Sequence, residues 1–231
     1  MTTHHHHHDA LGHHQCVRLV PIFNHLEDDQ MNEIMQVAQS RQYKKGEMIY
    51  MAGDESDALY IVSSGKIRIY RLSESGKEQL VRILTPGEFT GELALFRESI
   101  HTNYAEAMSN TQVCMITRAD LQEFLLKYPS ISLKLLQEFS NRLDQSETQT
   151  TRFATEKVDT RIAYFLSDLM EDEGGSMIVD LPMTKKDMAS YLGTTPETIS
   201  RKLADFEDAG YIHQISNRKI EILDLDEMLM V

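Results

Sequence analysis

Three polar side chains near the carboxyl-terminal end of the chain have the types and spacing needed to read DNA bases. Glu197, Ser200 and Arg201 lie three and four residues apart, so a helix would place them on one face. Arginine can donate two hydrogen bonds to guanine, glutamate can accept one from cytosine, and serine can bond a neighbouring base. The same spacing also suits a surface ion pair between Glu197 and Arg201, worth roughly a few tenths of a kcal/mol.

The residues around this face predict a helix-turn-helix that would position it. Thr184 is a predicted N-cap of the first helix, and Gly193 suits the left-handed residue that ends it. Thr195 is the second predicted N-cap, and Pro196 fits the first helical position, where no backbone donor is lost. The apolar residues expected to point inward are Met188, Ala189, Leu192, Ile199, Leu203 and Phe206.

A predicted β-hairpin follows the second helix. Two strand-like runs, residues 210–215 and 218–223, flank the turn residues Ser216 and Asn217. This is the pattern of a wing, in which Arg218 and Lys219 could hold phosphates. The predicted DNA-contacting set is completed by Thr195, Thr198, Lys202 and Lys219.

The segment from Glu197 to Arg201 resembles the recognition helix of the Crp/Fnr transcription regulators. It is similar to the Fnr branch, because the Crp branch carries arginine where Pro196 stands and glycine where Ser200 stands. The resemblance implies a homodimer that reads a double-stranded palindrome similar to TTGAT-N4-ATCAA and contacts RNA polymerase. The alternative from another class is a ligand-sensing cyclic-nucleotide-type module whose wing domain binds protein. We expect no enzymatic activity, because no nucleophile–base arrangement, phosphate loop or carboxylate pair stands out.

Charge is distributed unevenly along the chain. The net charge of −13 argues against a general electrostatic grip on DNA. Residues 181–220 nevertheless carry six basic and five acidic side chains, so this segment is close to neutral and allows local docking. No apolar run reaches the length of a membrane span and no secretory signal is evident, so we expect a cytoplasmic protein without membrane association.

The fold class predicted from the whole chain is α+β, with four segments. They are a His-rich segment at 1–18, a β-roll sensor domain at 19–129, a dimerisation helix at 130–156 and a winged helix-turn-helix at 157–231. A helical pattern runs from Leu19 to Ser40, and strand-like runs follow at residues 58–63, 66–72, 78–84 and 111–117. Short strands separated by glycine turns indicate a barrel or jelly roll.

The order of these glycine turns resembles the cyclic-nucleotide-binding roll of the same family. In cAMP-binding relatives an Arg-Ser pair holds the cyclic phosphate, and His101 and Thr102 stand at the matching positions. Histidine is largely neutral near pH 7 and lacks the guanidinium fork, so we expect no response to cAMP. Gly91 and Glu92 are then predicted to form a turn with a carboxylate bonded to local backbone.

From Ser130 to about Thr155 a helical pattern continues without glycine or proline. Apolar residues recur by three and four in its first half, and the seam becomes polar in its second half. The seam positions are Leu136, Phe139, Leu143, Ser146, Thr150 and Phe153. The pattern is typical either of a parallel dimer or of a helix packed on its own roll, and the family resemblance favours the dimer.

The two cysteines, Cys16 and Cys114, are the candidate signal-carrying residues. Iron–sulfur members of the Fnr branch use about four protein ligands, so two cysteines make such a cluster unlikely. The chain resembles the two-cysteine Fnr-like proteins of Gram-positive bacteria, for which a disulfide switch is the natural hypothesis. The alternatives are two isolated thiols, or a metal ion held by His13, His14 and Cys16. The run His4–His8 fits a purification tag and natural sequence equally well.

Overall fold

In the computed structural model of the protein, residues 17–96 and 99–230 are described, except for the side chains of Ala94 and Leu95. The chain folds into two compact units. The first runs through Leu72 and resumes from Val81 to Arg142, and the second consists of Ser73–Leu80 and the chain from Leu143 onward. The predicted α+β class is confirmed: a β-roll, a long helix and a helix-turn-helix with a small sheet follow one another along the chain.

The described chain begins with a helical turn at residues 17–19 and continues to helix α1, Asp28–Val37. At the start of this helix the Gln30 side chain accepts a hydrogen bond from the backbone N–H of Glu27 at 3.1 Å. The helical pattern predicted to reach Ser40 ends earlier, because strand β1 already begins at Gln39. Met31 and Ile34 face the roll and are buried, as the helical period requires.

In the described parts of residues 39–117, the roll has ten strands. They are β1 Gln39–Tyr43, β2 Met48–Tyr50, β3 Glu55–Ser56, β4 Ala58–Ser64, β5 Ile67–Leu72, β6 Glu78–Leu84, β7 Phe89–Thr90, β8 Ser99–Ile100, β9 Tyr104–Ala107 and β10 Thr111–Thr117. One four-stranded sheet has the order β1-β10-β4-β7, a second has the order β2-β9-β5-β6, and β3 pairs with β8. The four runs predicted from the sequence correspond to β4, β5, β6 and β10.

Among the described residues, two apolar clusters lie in the roll. One contains Ile61, Phe89 and Ile116 and extends to the N-terminal helices and the start of the long helix; the other contains Val62 and Leu84. Residues 58–62 of β4 are all buried, since this strand contributes to both clusters. Each fully buried side chain of this size contributes about 1.5–3 kcal/mol relative to an exposed one.

Two helices follow the roll, α2 at Arg118–Lys127 and α3 at Pro129–Thr155. Pro129 lies just beyond Tyr128, the C-cap of the first helix, and is the first residue of the second, a position where its missing N–H costs nothing. Within residues 17–96 and 99–230, no helix is both long enough and apolar enough to cross a membrane.

The C-terminal part consists of α4 Val158–Asp172, β11 Ile178–Asp180, α5 Lys185–Tyr191, α6 Pro196–Asp208, β12 Ile212–Ser216, β13 Lys219–Ile222 and α7 Leu225–Leu229. The three strands form an antiparallel sheet in the order β11-β13-β12. Helices α5 and α6 are the predicted helix-turn-helix, and β12 and β13 are the predicted wing. Strand β11 was not predicted, because three residues are too few for a period-2 pattern to show.

Candidate nucleic-acid interface and roll interior

The turn between α5 and α6 has the cap geometry that the sequence predicts. Thr184 accepts a hydrogen bond from the backbone N–H of Asp187 at 3.1 Å, and Thr195 accepts one from Thr198 at 3.2 Å. Gly193 has a φ of 68°, where an L side chain is strained. A Cβ at this position would also lie 3.2 Å from the ring of Phe153, which would have to shift by a few tenths of an ångström, so the turn favours glycine chiefly for its conformation.

Helix α6 has one buried face and one exposed face. Ile199, Leu203 and Phe206 are buried, as predicted. The opposite face exposes Glu197, Ser200 and Arg201. The ion pair that the spacing of Glu197 and Arg201 allows is not formed, and within the described part of the chain neither side chain has a hydrogen-bond partner. These three side chains are therefore available to a ligand without first breaking an internal bond.

The other predicted DNA-contacting residues already have partners inside the C-terminal unit. The hydroxyls of Thr195 and Thr198 lie 3.1 Å apart at the cap. Lys202 is half-buried, and its ammonium donates to Asp159 at 3.0 Å, which joins α6 to α4. Lys219 pairs with Asp180 at 3.5 Å. The Lys219 pair is largely exposed, so a phosphate could replace the carboxylate at little cost.

The pKa of Asp159 reflects its hydrogen bond with Lys202. Burial acts to raise the pKa of Asp159, but the hydrogen bond and the charge of Lys202 outweigh this and lower the pKa. The carboxylate is thus ionised and bonded under physiological conditions. Nothing in the sequence pattern indicates this pair, because 43 residues separate the two partners.

His101 lies buried inside the roll, stacked on Tyr50 with ring centroids 3.7 Å apart and planes 8° apart. Burial lowers the pKa of His101, although the carboxylates of Asp54, Asp57 and Glu92 act in the opposite direction. The ring is therefore neutral at physiological pH. The Thr102 hydroxyl accepts a long hydrogen bond of 3.4 Å from Arg71. Neither position supplies the fixed cation that a cyclic phosphate needs.

Glu92 is held by two arginines more than by local backbone, which differs from the sequence-based expectation. Its Oε1 accepts hydrogen bonds from Arg82 at 3.0 Å and from Arg142 at 2.7 Å. Burial acts to raise the pKa of Glu92, but the two guanidinium groups outweigh it and the pKa is lowered. Gly91 before it has a φ of 85°, and a Cβ there would lie 2.3 Å from the carbonyl oxygen of Ala58. The turn is therefore specific to glycine.

The roll interior predicts that cAMP has no effect on the protein. Calorimetry at millimolar cAMP should give no binding heat, and the melting temperature should not change. Binding at 100 times the dissociation constant would stabilise the fold by about 2.7 kcal/mol, which such a melting experiment detects easily. A clear rise in melting temperature would show that His101 and Thr102 do bind the phosphate.

The chain matches two family descriptions in succession, the cyclic nucleotide-binding domain over residues 40–128 and the Crp-like helix-turn-helix domain over residues 160–230. It is 34% identical over 215 residues to the probable transcriptional regulator flp of Lacticaseibacillus casei, covering 93% of this chain and 97% of that protein. The chain belongs to the Crp/Fnr family of transcription regulators. It is therefore a regulator of the DNA-binding type, and its relatives are regulators rather than enzymes.

A second relative and a solved structure support the same family assignment. The nitrogen fixation regulation protein FixK of Rhizobium meliloti is 35% identical to this regulator over 181 residues, covering 78% of this chain and 81% of FixK. The solved structure of FixK2 from Bradyrhizobium japonicum superposes with a TM-score of 0.73 at 26% identity, covering 83% of this chain and 96% of that one. The similarity thus extends over the roll, the long helix and the DNA-binding domain.

Of the two candidate redox cysteines, Cys114 lies in the described part of the chain and Cys16 does not. Cys114 lies in β10, fully buried, and is disulfide-bonded. Cys16, His13, His14 and the run His4–His8 lie outside the described residues. In the part of the chain that is described, no group of three or more histidine, cysteine, aspartate or glutamate side chains is arranged to hold a metal ion.

Proposed function

We propose that this regulator is a homodimer that reads an Fnr-like palindrome through Glu197, Ser200 and Arg201. The observation that carries this proposal is the state of those side chains: they are exposed, and Glu197 and Arg201 have no side-chain partner among the described residues. The buried opposite face of α6 fixes the orientation of the exposed one. Such a face at the start of the second helix suits entry into the major groove.

The long helix α3 supports the dimer. Leu136 and Leu143, two of the seam positions, are 61% and 60% exposed, while Ile131 and Leu135 are buried against the roll. The helix thus packs one face, including the seam residue Phe139, against its own roll and leaves Leu136 and Leu143 uncovered. A second copy of the chain would bury each leucine at a gain of about 1.5–3 kcal/mol. The polar positions Ser146 and Thr150 predict a weaker contact in the second half.

The predicted segments acquire roles in this proposal. Residues 19–129 are the sensor, 130–156 the dimerisation helix and 157–231 the DNA-binding domain. RNA polymerase is the second macromolecular partner, and the cytoplasm is the compartment in which both partners are found. These assignments are supported by the family of the chain, whose relatives are transcription regulators.

Selection from random double-stranded DNA tests this function directly. The expected result is enrichment of a palindrome related to TTGAT-N4-ATCAA, bound by a species that sediments as a dimer. Enrichment of an unrelated sequence would show that α6 docks differently. Failure to enrich any sequence would favour the alternative, a sensing module whose wing domain binds protein.

We also propose a thiol switch formed by Cys16 and Cys114, as in two-cysteine Fnr-like proteins. Two facts support the pairing: Cys114 is disulfide-bonded in the structure, and Cys16 is the only other cysteine in the sequence. They are 98 residues apart (114 − 16), and closing so long a loop stabilises the fold by about 4–5 kcal/mol in the chain-entropy model. Reduction would release strand β10 from this constraint.

The switch predicts that DNA affinity differs between protein treated with diamide and protein treated with dithiothreitol. One intramolecular disulfide should form in diamide, and Cys16→Ser and Cys114→Ser should each abolish the difference. Metal analysis of anaerobically purified protein distinguishes the alternative in which His13, His14 and Cys16 hold a metal ion. Identical DNA binding by the oxidised and reduced proteins would rule out the switch.

A further inference from the structure

A carboxylate in the last turn of α6, the proposed recognition helix, is bonded to the wing. The Oε1 atom of Glu207 accepts a hydrogen bond from the backbone N–H of Gln214 at 2.8 Å. Its Oε2 atom accepts a second from the side-chain amide of Gln214 at 2.9 Å, and His213 contacts Oε1 at 3.1 Å. Helix α6 and strand β12 are thus joined by a two-point contact at one residue, which fixes distance and angle together.

The same glutamine is bonded on its other side to the first helix of the helix-turn-helix. Lys185, the first residue of α5, donates from its ammonium to Gln214 Oε1 at 3.0 Å. The carbonyl end of the amide therefore faces a cation and its NH₂ end faces a carboxylate, which is the only orientation that satisfies both partners. Lys185, Gln214 and Glu207 thus form one chain of bonds across three elements.

This chain of bonds ends where the wing changes direction. The register between β12 and β13 shifts between Gln214 and Ser216, so Gln214 is the last regularly paired residue before the tip. Beyond it the exposed residues from Ile215 to Arg218 form the tip of the wing. A β-bulge bends its strand and increases the local twist, so the position of the residue before it determines where the tip points.

We infer that Lys185, Gln214 and Glu207 are positioning residues that hold the wing tip at the angle from which Arg218 and Lys219 reach phosphates while α6 reads bases. The inference rests on the proposed function, because it assumes that both elements contact one duplex. None of the three residues needs to touch DNA. Together they couple phosphate contacts, which position the protein, to base contacts, which specify the sequence.

Glu207→Gln is the first test. The introduced amide places a donor against the NH₂ group of Gln214; if Gln214 turns over to accept that bond, its NH₂ then faces the ammonium of Lys185. One bond of the chain is broken in either orientation. If each protomer then binds one phosphate fewer, the slope of log affinity against log salt should become shallower by about two units per dimer. Affinity for the palindrome should fall about three- to tenfold at physiological salt.

Asp208→Asn is the matched control, because it removes the same charge from the neighbouring residue of the same helix. Asp208 is exposed, and its side chain has no partner in the part of the chain that is described. Its substitution should leave the salt slope unchanged. The two variants differ only in whether the replaced carboxylate belonged to the chain of bonds.

The exchange of the two groups, Glu207→Gln with Gln214→Glu, provides the rescue. The amide introduced at position 207 can accept from the backbone N–H of residue 214 and donate to the carboxylate now at that position. The other oxygen of that carboxylate can still accept from Lys185. Net charge is the same as in the natural chain, so the salt slope and the palindrome affinity should both return.

The salt dependence of binding is measured with the full-length protein and a duplex that carries the selected palindrome. A slope that is shallower in Glu207→Gln, unchanged in Asp208→Asn and restored in the exchange variant supports the inference. Equal slopes in Glu207→Gln and Asp208→Asn, with only the melting temperature lowered, would overturn it in favour of a purely structural role. If the natural protein itself shows no sequence preference, the proposed function fails instead, and this is seen before any variant is compared.

Discussion

Arg201→Ala is expected to weaken binding to the selected palindrome by about 1–3 kcal/mol for each half-site. The effect should be largest for sequences that retain the G·C pair of each half-site, because the guanidinium is the side chain that can bond guanine at two points. Competition with duplexes altered at one base pair measures this directly. The variant should discriminate least at the position that the natural protein reads best.

The phosphate contact proposed for Lys219 in the wing provides the contrast. Lys219→Ala should weaken binding to all duplexes alike and make the salt slope shallower, since a phosphate carries no sequence information. Its pair with Asp180 is exposed, so the fold should tolerate the change. If Arg201→Ala weakened binding to all DNA sequences equally, as Lys219→Ala is expected to do, Arg201 would contact the DNA backbone rather than a base.

The sequence predicted the structure correctly where local structure depends on residues that are close together in the chain. The caps at Thr184 and Thr195, the left-handed Gly193 and the inward apolar residues of α6 all depend on contacts or conformations within a few positions. The same holds for the longer strands of the roll, which show glycine turns at their ends. Local propensity and pattern agree at these places, so the prediction and the structure agree as well.

The sequence could not predict which ion pairs form when a charged side chain has more than one possible partner of opposite charge. Glu197 has a potential partner four residues away and does not use it, whereas Lys202 is bonded to Asp159 and Glu92 to Arg142. The last two residues are 50 positions apart. Which acid meets which base is determined by the packing of whole elements, and no spacing rule predicts this. The two-residue strands β3, β7 and β8 escaped prediction for a related reason, since tertiary contacts alone define them.

The carboxylate of Glu92 is an example of a contact between distant residues that contributes to the stability of the roll. Arg142 donates to it, and also to the carbonyl oxygen of Phe89 at 3.1 Å and to Glu138 at 2.9 Å. Its guanidinium lies 4.2 Å from the centre of the Phe89 ring. Both Glu92 and Arg142 have side chains that are only 15% exposed, so solvent cannot replace a missing partner easily. Glu92 is therefore the anion that Arg82 and Arg142 share, and Glu138 is a second acidic partner of Arg142.

Glu92→Gln is expected to destabilise the roll by about 3 kcal/mol, the lower end of the cost of breaking a buried ion pair, because Arg82 and Arg142 lose their shared anion while Arg142 keeps Glu138. Arg142→Met should cost less, since Glu92 retains Arg82, and the double variant should cost less than the sum of the single ones. Hydrogen exchange of peptides that cover β4 and β7 measures this locally, without requiring the two units to unfold together. Equal and additive effects would mean that the three side chains act independently.

Acid should reproduce the effect of Glu92→Gln in the natural protein. The pKa of Glu92 is lower in the folded chain than in the unfolded one, so its contribution to stability is fully present above the ordinary glutamate pKa. As the pH falls through the depressed pKa of the folded state, the carboxylate is protonated and that contribution disappears. In Glu92→Gln this part of the acid-induced destabilisation should be missing, so the stabilities of the two proteins should converge as the pH falls. Parallel stability curves for both proteins below about pH 5 would contradict the assignment.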